Sequence, residues 1–326
     1  MWKDRRVLVT GAGGFIGSHL AERLAGLGAK TRCLLRYNSQ DSVGWLSDSP
    51  VREDLEIIHG DIRDSESVLR AFKDVEVVFH LAALIGIPYS YHSPRSYVQT
   101  NVEGTLNILE AARKCGVQRL VCTSTSEVYG SAQYVPIDER HPLQGQSPYS
   151  ATKIGADKLA ESYLRSFGLS LSIARPFNVY GPRQSSRAVI PTIITQALTG
   201  STVKIGNLDT TRDFTYVSDT VDGFIAIAEC SATAGNTLNI GTGAEISIRD
   251  LAGVIFELTG TECAMEVEER RLRPEASEVE RLCANSDKIS QLTGWKPRVP
   301  LREGLARTIE WISGNLADYT VGSYSV

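Results

Sequence analysis

The chain has 326 residues, of which 42% are hydrophobic and 22% are charged, and its formal net charge at pH 7 is -4. This is the composition of a globular protein long enough for one or two domains with a large core. The slight excess of acidic groups argues against a nucleic acid or an anionic membrane as the main partner, so an anionic ligand must be held by local arginines.

The six cysteines are scattered, and none forms a CxxC pair or a cysteine-histidine cluster with the spacing of metal ligands. We therefore expect reduced thiols, most of them buried, and no metal site. The N-terminus passes from charged residues directly into the first predicted strand, with no signal sequence and no apolar run that could span a bilayer. This pattern predicts a cytoplasmic protein.

The first predicted strand, at 6–9, leads into a glycine-rich turn and an amphipathic helix over 14–27. Glycines in such a turn permit a sharp chain reversal, close approach of the backbone to a pyrophosphate, and close packing of helix on strand. The helix N-terminus offers unpaired N–H groups and a positive dipole to the phosphates. An ordinary turn is the alternative, but the position at the first strand-to-helix junction favours a dinucleotide site. The residues predicted to contact the dinucleotide are Gly11, Gly13, Gly14, Phe15, Ile16 and Gly17.

Strands and helices alternate through the first half of the chain, which predicts an α/β fold with a doubly wound parallel sheet of the Rossmann type. Further strands are predicted at 30–35, 55–58, 75–81, 120–124 and 171–175. Further helices are predicted at 65–72, 97–114 and 148–167, the last with Ser147 as its N-cap and Pro148 in its first turn.

After Gly181 the alternation becomes irregular, which indicates a smaller, discontinuous α/β lobe that binds the substrate. Segments 214–222 and 237–240 are expected to return to the main sheet. The predicted domains are a dinucleotide-binding domain over 1–180, joined by 213–241, a substrate lobe over 181–212 and 242–313, and a weakly ordered tail over 314–326.

The end of the second predicted strand indicates the type of dinucleotide. NAD enzymes place an acid about 20 residues after the glycines, where it binds the ribose 2′-OH. Here residues 34–39 read Leu-Leu-Arg-Tyr-Asn-Ser, with no acid and with Arg36 available for a 2′-phosphate. This favours NADP over NAD; the alternative is that Arg36 is merely solvated. Asp61 and Ile62, after the third predicted strand, are expected to border the adenine.

Residues 122–130, Cys-Thr-Ser-Thr-Ser-Glu-Val-Tyr-Gly, lie at the carboxyl end of the fifth predicted strand, where open α/β sheets bind ligands. The side chains of Thr125, Ser126 and Glu127 could orient a substrate hydroxyl and remove a carbon-bound proton. The alternative is a turn that is merely rich in serine and threonine.

Tyr149 and Lys153 stand four residues apart near the start of a predicted helix, so their side chains share one face. An adjacent ammonium favours the phenolate and lowers the ordinary tyrosine pKa of about 10, which would make Tyr149 a general base toward a sugar hydroxyl. A solvated tyrosine and lysine on an exposed helix is the alternative, because this spacing is common by chance.

Together these motifs resemble the extended short-chain dehydrogenase/reductase family, which includes the NAD(P)-dependent nucleotide-sugar epimerases and dehydratases. The resemblance covers roughly residues 5–312. The matching motifs are TGAGGFIG at 10–17, GDIRD at 60–64, FHLAA at 79–83, TNVEGT at 100–105, STSEVYG at 124–130, SPYSATK at 147–153, RPFNVYGP at 175–182 and TRDFTYVSD at 211–219.

Within the family, Glu127 is typical of 4,6-dehydratases, whereas simple 4-epimerases usually carry a small residue or a hydroxyl there. Ser126 stands where dTDP-glucose enzymes carry aspartate, and Thr-Ser-Glu at 125–127 is similar to GDP-mannose 4,6-dehydratases. Stretches 35–39, 141–157, 206–215 and 273–280 are also similar to GDP-sugar or nucleotide-N-acetylglucosamine 4,6-dehydratases. UDP-glucuronate decarboxylases share Thr-Ser-Glu, but they usually place an arginine just ahead of the catalytic tyrosine, and residues 144–148 have none.

The resemblance implies that an NDP-hexose, GDP- or UDP-linked, is converted to its 4-keto-6-deoxy form. Tyr149, helped by Thr125, would take the C4 hydroxyl proton as hydride passes from C4 to the nicotinamide. Glu127, supported by Ser126, would then take the C5 proton and assist loss of the C6 hydroxyl as water, and hydride would return to C6. Because each turnover regenerates the cofactor, the NADP (or NAD) should be tightly bound, with Lys153 also bonding the nicotinamide ribose.

The resemblance also implies further contacts and a homodimer formed through the helices at 97–114 and 148–167. The implied cofactor contacts are Leu81, Ala82, Ala83 and Asn101. The implied substrate contacts are Ile87 and Ser90 beside the sugar, Asn178, Arg187, Arg212 and Arg273 at the diphosphate, and Glu278 at the ribose or base. Arg212 could instead pair with the neighbouring Asp213.

Other functions of the same fold remain open from the sequence. A 4-epimerase or a UDP-glucuronate decarboxylase would share the cofactor and the Tyr-Lys pair. A non-catalytic dinucleotide sensor is disfavoured, because Thr125, Glu127, Tyr149 and Lys153 are all present.

Overall fold

The structure is a computed structural model that describes residues 1–322; residues 323–326 lie outside it. Its strands are β1 Arg6–Thr10, β2 Lys30–Leu35, β3 Leu55–His59, β4 Val77–His80, β5 Arg119–Thr123, β6 Leu171–Pro176, β7 Asn178–Tyr180, β8 Thr202–Ile205, β9 Thr211–Arg212, β10 Phe214–Tyr216, β11 Thr237–Ile240, β12 Ile246–Ser247, β13 Ala264–Val267 and β14 Arg281–Leu282. Its α-helices are α1 Phe15–Gly26, α2 Ser65–Ala71, α3 Ile87–His92, α4 Pro94–Tyr97, α5 Gly104–Lys114, α6 Pro148–Phe167, α7 Val189–Thr199, α8 Val217–Glu229, α9 Ile248–Thr259, α10 Asp287–Thr293 and α11 Leu301–Gly314.

Seven of these strands form a parallel sheet in the order β11-β6-β5-β4-β1-β2-β3. The chain runs outward from β1 to β3 on one side and from β4 to β6 on the other, so strand order reverses between β1 and β4. Ligands of open α/β sheets bind outside the carboxyl ends of the strands at such a reversal. The predicted doubly wound Rossmann fold is confirmed.

Apolar clusters cover both faces of the sheet. Successive side chains of β1 point to opposite faces, so they enter different clusters. Val7 and Val9 belong to one buried apolar cluster and Leu8 to a second. Strand β6 is buried along its whole length, as expected for a parallel strand with helices on both sides.

Helix α6 begins as the sequence predicts, with Ser147 at its N-cap. The Ser147 hydroxyl accepts a hydrogen bond from the backbone N–H of Ser150, whose hydroxyl accepts one from the Ser147 N–H, and Pro148 occupies the first turn. The helix ends at Gly168, which adopts the left-handed conformation common after a helix C-terminus. This start fixes the direction in which the first turn of α6 projects its side chains.

The helix predicted at 97–114 is interrupted by a π-helical turn over Val98–Glu103, between α4 and α5. Single π-turns inside helices are frequent at functional sites. This one contains the predicted cofactor residue Asn101.

The prediction that segment 214–222 returns to the main sheet is wrong. Strand β10 pairs with β7 in a separate two-stranded ladder, and helix α8 begins at Val217. From Val217 onward the segment is helical, and α8 packs against β5 and β6 instead of adding a strand to the sheet. Strand β11 does join the main sheet beside β6, as predicted.

The second half of the chain adds two small sheets, β12-β9-β14 and β13-β8. Beyond α11, Tyr319 is buried with an exposed fraction of 7%, and the last four residues of the expected tail lie outside the described residues. Along residues 1–322, no helix is both long and apolar enough to cross a membrane.

Candidate active site

The turn between β1 and α1 can be built only with glycine at two positions. Gly11 has a φ of +72°, a backbone conformation that side chains disfavour. A Cβ atom on Gly17 would lie 2.2 Å from the Gly11 carbonyl oxygen, so α1 packs directly on the turn. No side chain caps α1 at Gly14, whereas Asp64 and Ser147 cap α2 and α6. The N-terminal amides of α1 therefore fit the diphosphate of a dinucleotide.

A cleft of about 540 Å³ lies beside the ends of β2 and β3 and includes Arg36, Asp61 and Arg63 in its lining. Arg63 Nη2 donates to Asp61 Oδ2 at 2.6 Å, and this ion pair holds the pKa of Asp61 below its ordinary value. Arg36 is exposed, and Ile62 is buried against Gly104 of α5. Sequence analysis missed Arg63, although its place two residues after Asp61 could have indicated it.

The end of β4 is tied to the end of β1 by Thr10. Its hydroxyl accepts hydrogen bonds from the backbone N–H groups of Leu81 and Ala82, each at 3.1 Å. The same hydroxyl lies 2.9 Å from Nδ1 of the buried His80. Leu81, Ala82 and the half-buried Ala83 therefore lie along the carboxyl edge of the sheet, beside the glycine turn.

Asn101 joins this loop to the helix that carries Tyr149. Its side-chain oxygen accepts from the Leu84 N–H at 2.9 Å, and its amide donates to the Leu84 carbonyl at 3.0 Å and to the Thr152 hydroxyl at 3.1 Å. The structure thus gives Asn101 a role in holding the loop after β4 against α6.

Tyr149 and Lys153 are both buried on one face of α6, as their spacing predicts. The Lys153 ammonium donates to the Thr123 carbonyl at 2.6 Å, and its burial lowers its pKa. The expected lowering of the Tyr149 pKa is wrong: burial of the phenol raises that pKa, and its hydrogen bond with Thr125 opposes the rise only in part. The spacing of two residues along a helix does not reveal this burial.

Thr125 and Glu127 follow β5 and lie beside the Tyr149 phenol. The Thr125 hydroxyl accepts from the backbone N–H of Glu127 at 3.2 Å and caps the short 3-10 turn Ser126–Tyr129. The Glu127 side chain is 12% exposed, and its charge acts on both Tyr149 and Arg212. Ser126 is buried in the same turn. The side chains of Thr125, Glu127 and Tyr149 are therefore close enough together to contact one small ligand.

Glu127 also meets the predicted diphosphate ligands. Arg273 Nη1 lies 3.7 Å from Glu127 Oε2 and 3.6 Å from Glu278 Oε1. Arg212, which is 6% exposed, places Nη2 3.4 Å from Glu278 Oε1. Glu278 thus contacts arginines, a role that its predicted place at the ribose or base did not include.

The alternative pairing of Arg212 with Asp213 is wrong. Asp213 accepts hydrogen bonds from the backbone N–H groups of Thr242, Gly243 and Ala284. The Asp213 carboxylate is therefore bound by backbone groups, while Arg212 pairs with Glu278.

The remaining predicted substrate residues lie around this cluster. The side-chain oxygen of Asn178 is buried and has no hydrogen-bond partner among residues 1–322. Arg187 is exposed and acts on Tyr97, and its Nη1 lies 3.8 Å from the Cβ position that Gly86 lacks. Ile87 packs with Tyr149. The Ser90 hydroxyl donates a hydrogen bond to the Ile87 carbonyl at 2.6 Å.

A buried ionic network that was not predicted from the sequence includes Asp157 of α6 and Arg175. Asp157 accepts hydrogen bonds from Arg175 and from the Ser124 hydroxyl, and Arg175 donates to the Tyr129 hydroxyl at 3.0 Å. Asp157 extends the four-residue spacing of Tyr149 and Lys153 by one more turn, and this could have placed it on the buried face. The network anchors both ends of the segment 124–129 that contains Thr125.

Comparison with known proteins agrees with this geometry. The family model for GDP-mannose 4,6 dehydratase matches residues 8–308. The UDP-glucose 4-epimerase of Mycolicibacterium smegmatis is 36% identical and is matched over 94% of this chain and 98% of its own length.

Two solved structures are similar over almost their whole length. The dTDP-glucose 4,6-dehydratase DesIV from Streptomyces venezuelae, with NAD bound, has a TM-score of 0.85 at 31% identity and covers 96% of this chain and 98% of its own. MoeE5, in complex with UDP-glucuronic acid and NAD, has a TM-score of 0.85 at 34% identity, and the match covers 95% of this chain and 99% of MoeE5. These relatives include both dehydratases and epimerases.

Proposed function

Since this chain belongs to the extended short-chain dehydrogenase/reductase family of nucleotide-sugar dehydratases and epimerases, we propose that it is a nucleotide-sugar 4,6-dehydratase. Its substrate would be a GDP- or UDP-linked hexose, and its product the 4-keto-6-deoxy sugar nucleotide. The observation that carries the proposal is Glu127, whose carboxylate is 12% exposed and lies near Thr125 and Tyr149. A 4-epimerase needs no carboxylate base for C5.

The residues present fit a dinucleotide, because α1 begins uncapped and Gly11 and Gly17 admit no side chain. A bound nicotinamide supplies reversible acceptance of hydride, from C4 of the sugar and back to C6. We propose NAD as this cofactor, because DesIV and MoeE5 both hold NAD. The expectation of NADP, which rested on Arg36, receives no support from these relatives, and the nearby Arg63 is already paired with Asp61.

In this proposal Tyr149 removes the proton of the C4 hydroxyl, which Thr125 holds, as C4 is oxidised to a ketone. The ketone acidifies the C5–H bond, and Glu127 takes that proton. Glu127 then gives the proton to the departing C6 oxygen, so one water leaves and a C5–C6 double bond forms. When C6 receives a hydride in place of the one removed from C4, C5 receives a proton, which balances the proton that Tyr149 took from the C4 hydroxyl. The net change is loss of one water.

The buried Lys153 ammonium opposes the raised pKa of the Tyr149 phenol once the two face a common ligand. Arg212 and Arg273 would hold the diphosphate, since guanidinium groups match phosphate oxygens. Asn178, with its unpartnered buried oxygen, would accept a hydrogen bond from the substrate.

A second candidate, decarboxylation of a UDP-linked glucuronate, is favoured by one observation. Arg273 lies 3.7 Å from Glu127, so an arginine is available near the place of the sugar C6 even though residues 144–148 contain none. The solved relative MoeE5 was crystallised with UDP-glucuronic acid.

Mass spectrometry of the product separates these functions. The purified protein would be incubated with GDP- and UDP-linked hexoses, N-acetylhexosamines and glucuronate. A 4,6-dehydratase yields a product lighter by one water, a decarboxylase one lighter by carbon dioxide, and a 4-epimerase one of unchanged mass. Products of unchanged or decarboxylated mass only would overturn the proposal.

We also propose a homodimer formed through α5 and α6. Val98, Leu106 and Phe167, on or next to these helices, are 44%, 37% and 55% exposed, and a second copy packed on α5 and α6 would cover such apolar side chains. Light scattering during size-exclusion chromatography measures the mass of the particle; a monomer would contradict this proposal.

A further inference from the structure

We propose that Glu278 is a positioning residue that holds Arg273 away from Glu127 and so leaves the Glu127 carboxylate free to take the C5 proton. This inference rests on the proposed dehydratase function. Glu278 would act through Arg273, which lies between Glu278 and the proposed base Glu127.

The inference starts from the position of one guanidinium nitrogen. Nη1 of Arg273 lies between two carboxylates, 3.6 Å from Glu278 Oε1 and 3.7 Å from Glu127 Oε2. It is buried and forms no hydrogen bond with any residue in 1–322. Both distances exceed those of a hydrogen bond, so Nη1 is attracted to both carboxylates without being hydrogen-bonded to either.

The Glu278 carboxylate is fixed by hydrogen bonds, which keep it in position to attract Arg273. Its Oε1 accepts a hydrogen bond from the Val279 N–H at 3.1 Å and lies 3.4 Å from Arg212 Nη2. Arg212 is itself fixed, because its Nη1 donates to the Thr211 carbonyl at 2.8 Å. The cluster of Glu127, Glu278, Arg212 and Arg273 therefore contains two positive and two negative charges, and both carboxylates act on both arginines.

Removing the charge of Glu278 would change this balance. The attraction between unit charges grows as the distance falls and as water is excluded, and Arg273 would then have Glu127 as its remaining carboxylate neighbour. A shift of a few tenths of an ångström would bring the pair to hydrogen-bond distance. A carboxylate bound by a guanidinium is a poorer proton acceptor, because the opposite charge favours its ionised form.

The test compares Glu278→Gln with the double variant Arg273→Gln/Glu278→Gln. In Glu278→Gln we expect kcat to fall about 10-fold or more, because Arg273 would make the general base Glu127 less available. KM should change by less than about 3-fold. In the double variant kcat should recover to within about 3-fold of the wild type, because the competing guanidinium is gone. Its KM should rise about 10-fold or more, because a diphosphate ligand is lost.

A second measurement isolates Glu127 from the redox steps. The 4-keto-6-deoxy sugar nucleotide is incubated with each variant in D2O, and deuterium at C5 is followed by mass spectrometry. Exchange should slow in Glu278→Gln and recover in the double variant. Glu280→Gln is the matched control, because Glu280 is two residues away and exposed, and it makes the same change of charge; it should leave kcat, KM and exchange unchanged.

If Glu278→Gln has wild-type kcat and exchange, or if Arg273→Gln does not restore them, the inference is wrong. Thermal unfolding and bound cofactor are measured for each variant; should Glu278→Gln not fold, Glu278→Asp replaces it, with a smaller loss of kcat expected and full kcat contradicting the inference. The proposed function fails separately, since it depends on the mass of the product made by the wild type.

Discussion

Asp157 and Arg175 form an ion pair that is almost entirely enclosed by protein. Arg175 Nη2 lies 2.9 Å from Asp157 Oδ2, and the two side chains are 3% and 4% exposed. Breaking a buried pair by removing one partner leaves an uncompensated charge in the interior, which costs about 3–5 kcal/mol. We therefore expect Asp157→Asn to lower the free energy of unfolding by about this amount, as measured by urea denaturation.

Asp222→Asn is the control for this substitution. Asp222 pairs with Arg23 at 3.3 Å, but both side chains are well exposed, and such pairs contribute about 0–1 kcal/mol. Equal effects of the two variants would show that enclosure of Asp157 does not determine its contribution.

Glu127→Gln should stop the loss of water and leave the cofactor bound. The amide cannot take the C5 proton, so we expect kcat to fall by about 10²–10⁴-fold. In the proposed mechanism oxidation at C4 uses Tyr149 and Thr125 and not Glu127, so reduced nicotinamide should accumulate and be visible by its absorbance. Normal turnover in this variant would refute the assignment of Glu127 as the base.

Gly17→Ala should abolish dinucleotide binding. The added Cβ would meet the Gly11 carbonyl oxygen at 2.2 Å, so α1 must move away from the glycine turn that is proposed to bind the diphosphate. Dinucleotide released from the purified variant by heat should fall about 10-fold or more relative to the wild type. Gly26→Ala in the same helix is the control, since a Cβ there meets nothing within 4 Å; its cofactor content should be unchanged.

Arg36 provides a test of cofactor type. If the resident cofactor is NAD, as proposed, then the dinucleotide released by heat is NAD and Arg36→Ala retains it, because the exposed Arg36 has no 2′-phosphate to bind. Recovery of NADP from the wild type, with loss of binding in Arg36→Ala, would instead support the sequence-based expectation.

His80 should make the stability of the protein depend on pH. Burial, with a smaller contribution from the nearby Lys153 ammonium, lowers the His80 pKa to about 3 from 6.5. The unfolded chain takes up a proton below its own histidine pKa while the folded protein does not, so stability falls as pH is lowered from 6.5 toward 3. The slope due to this residue approaches about 1.4 kcal/mol per pH unit.

The measurement is the free energy of unfolding at about pH 6 and at about pH 5, where most carboxylates remain ionised. Between these two values the wild type should lose about 1 kcal/mol more than His80→Asn. The same loss in both proteins would mean that His80 is not responsible. His19, whose pKa burial also lowers, is present in both proteins and cancels in the comparison.

The local patterns of the sequence determined the fold, and they predicted most residues of the candidate site. Short apolar stretches alternating with segments of helical spacing located β1, β2, β6, α1 and α6 closely. The Ser147 cap could be predicted because capping involves residues only three positions apart. The glycine turn was equally clear, since its geometry depends on residues 11–17 alone.

Only the tertiary structure decided how the site is charged. Glu127, Arg212, Arg273 and Glu278 come from three separated segments, so their shared cluster and the space around Arg273 could not be read from spacing. Burial of Tyr149 likewise depends on side chains of Leu84, of α3 and of α4 that pack against it, and not on helix α6 alone. Electrostatic interaction depends on distance and on exclusion of water, and both are fixed only when distant parts of the chain pack together.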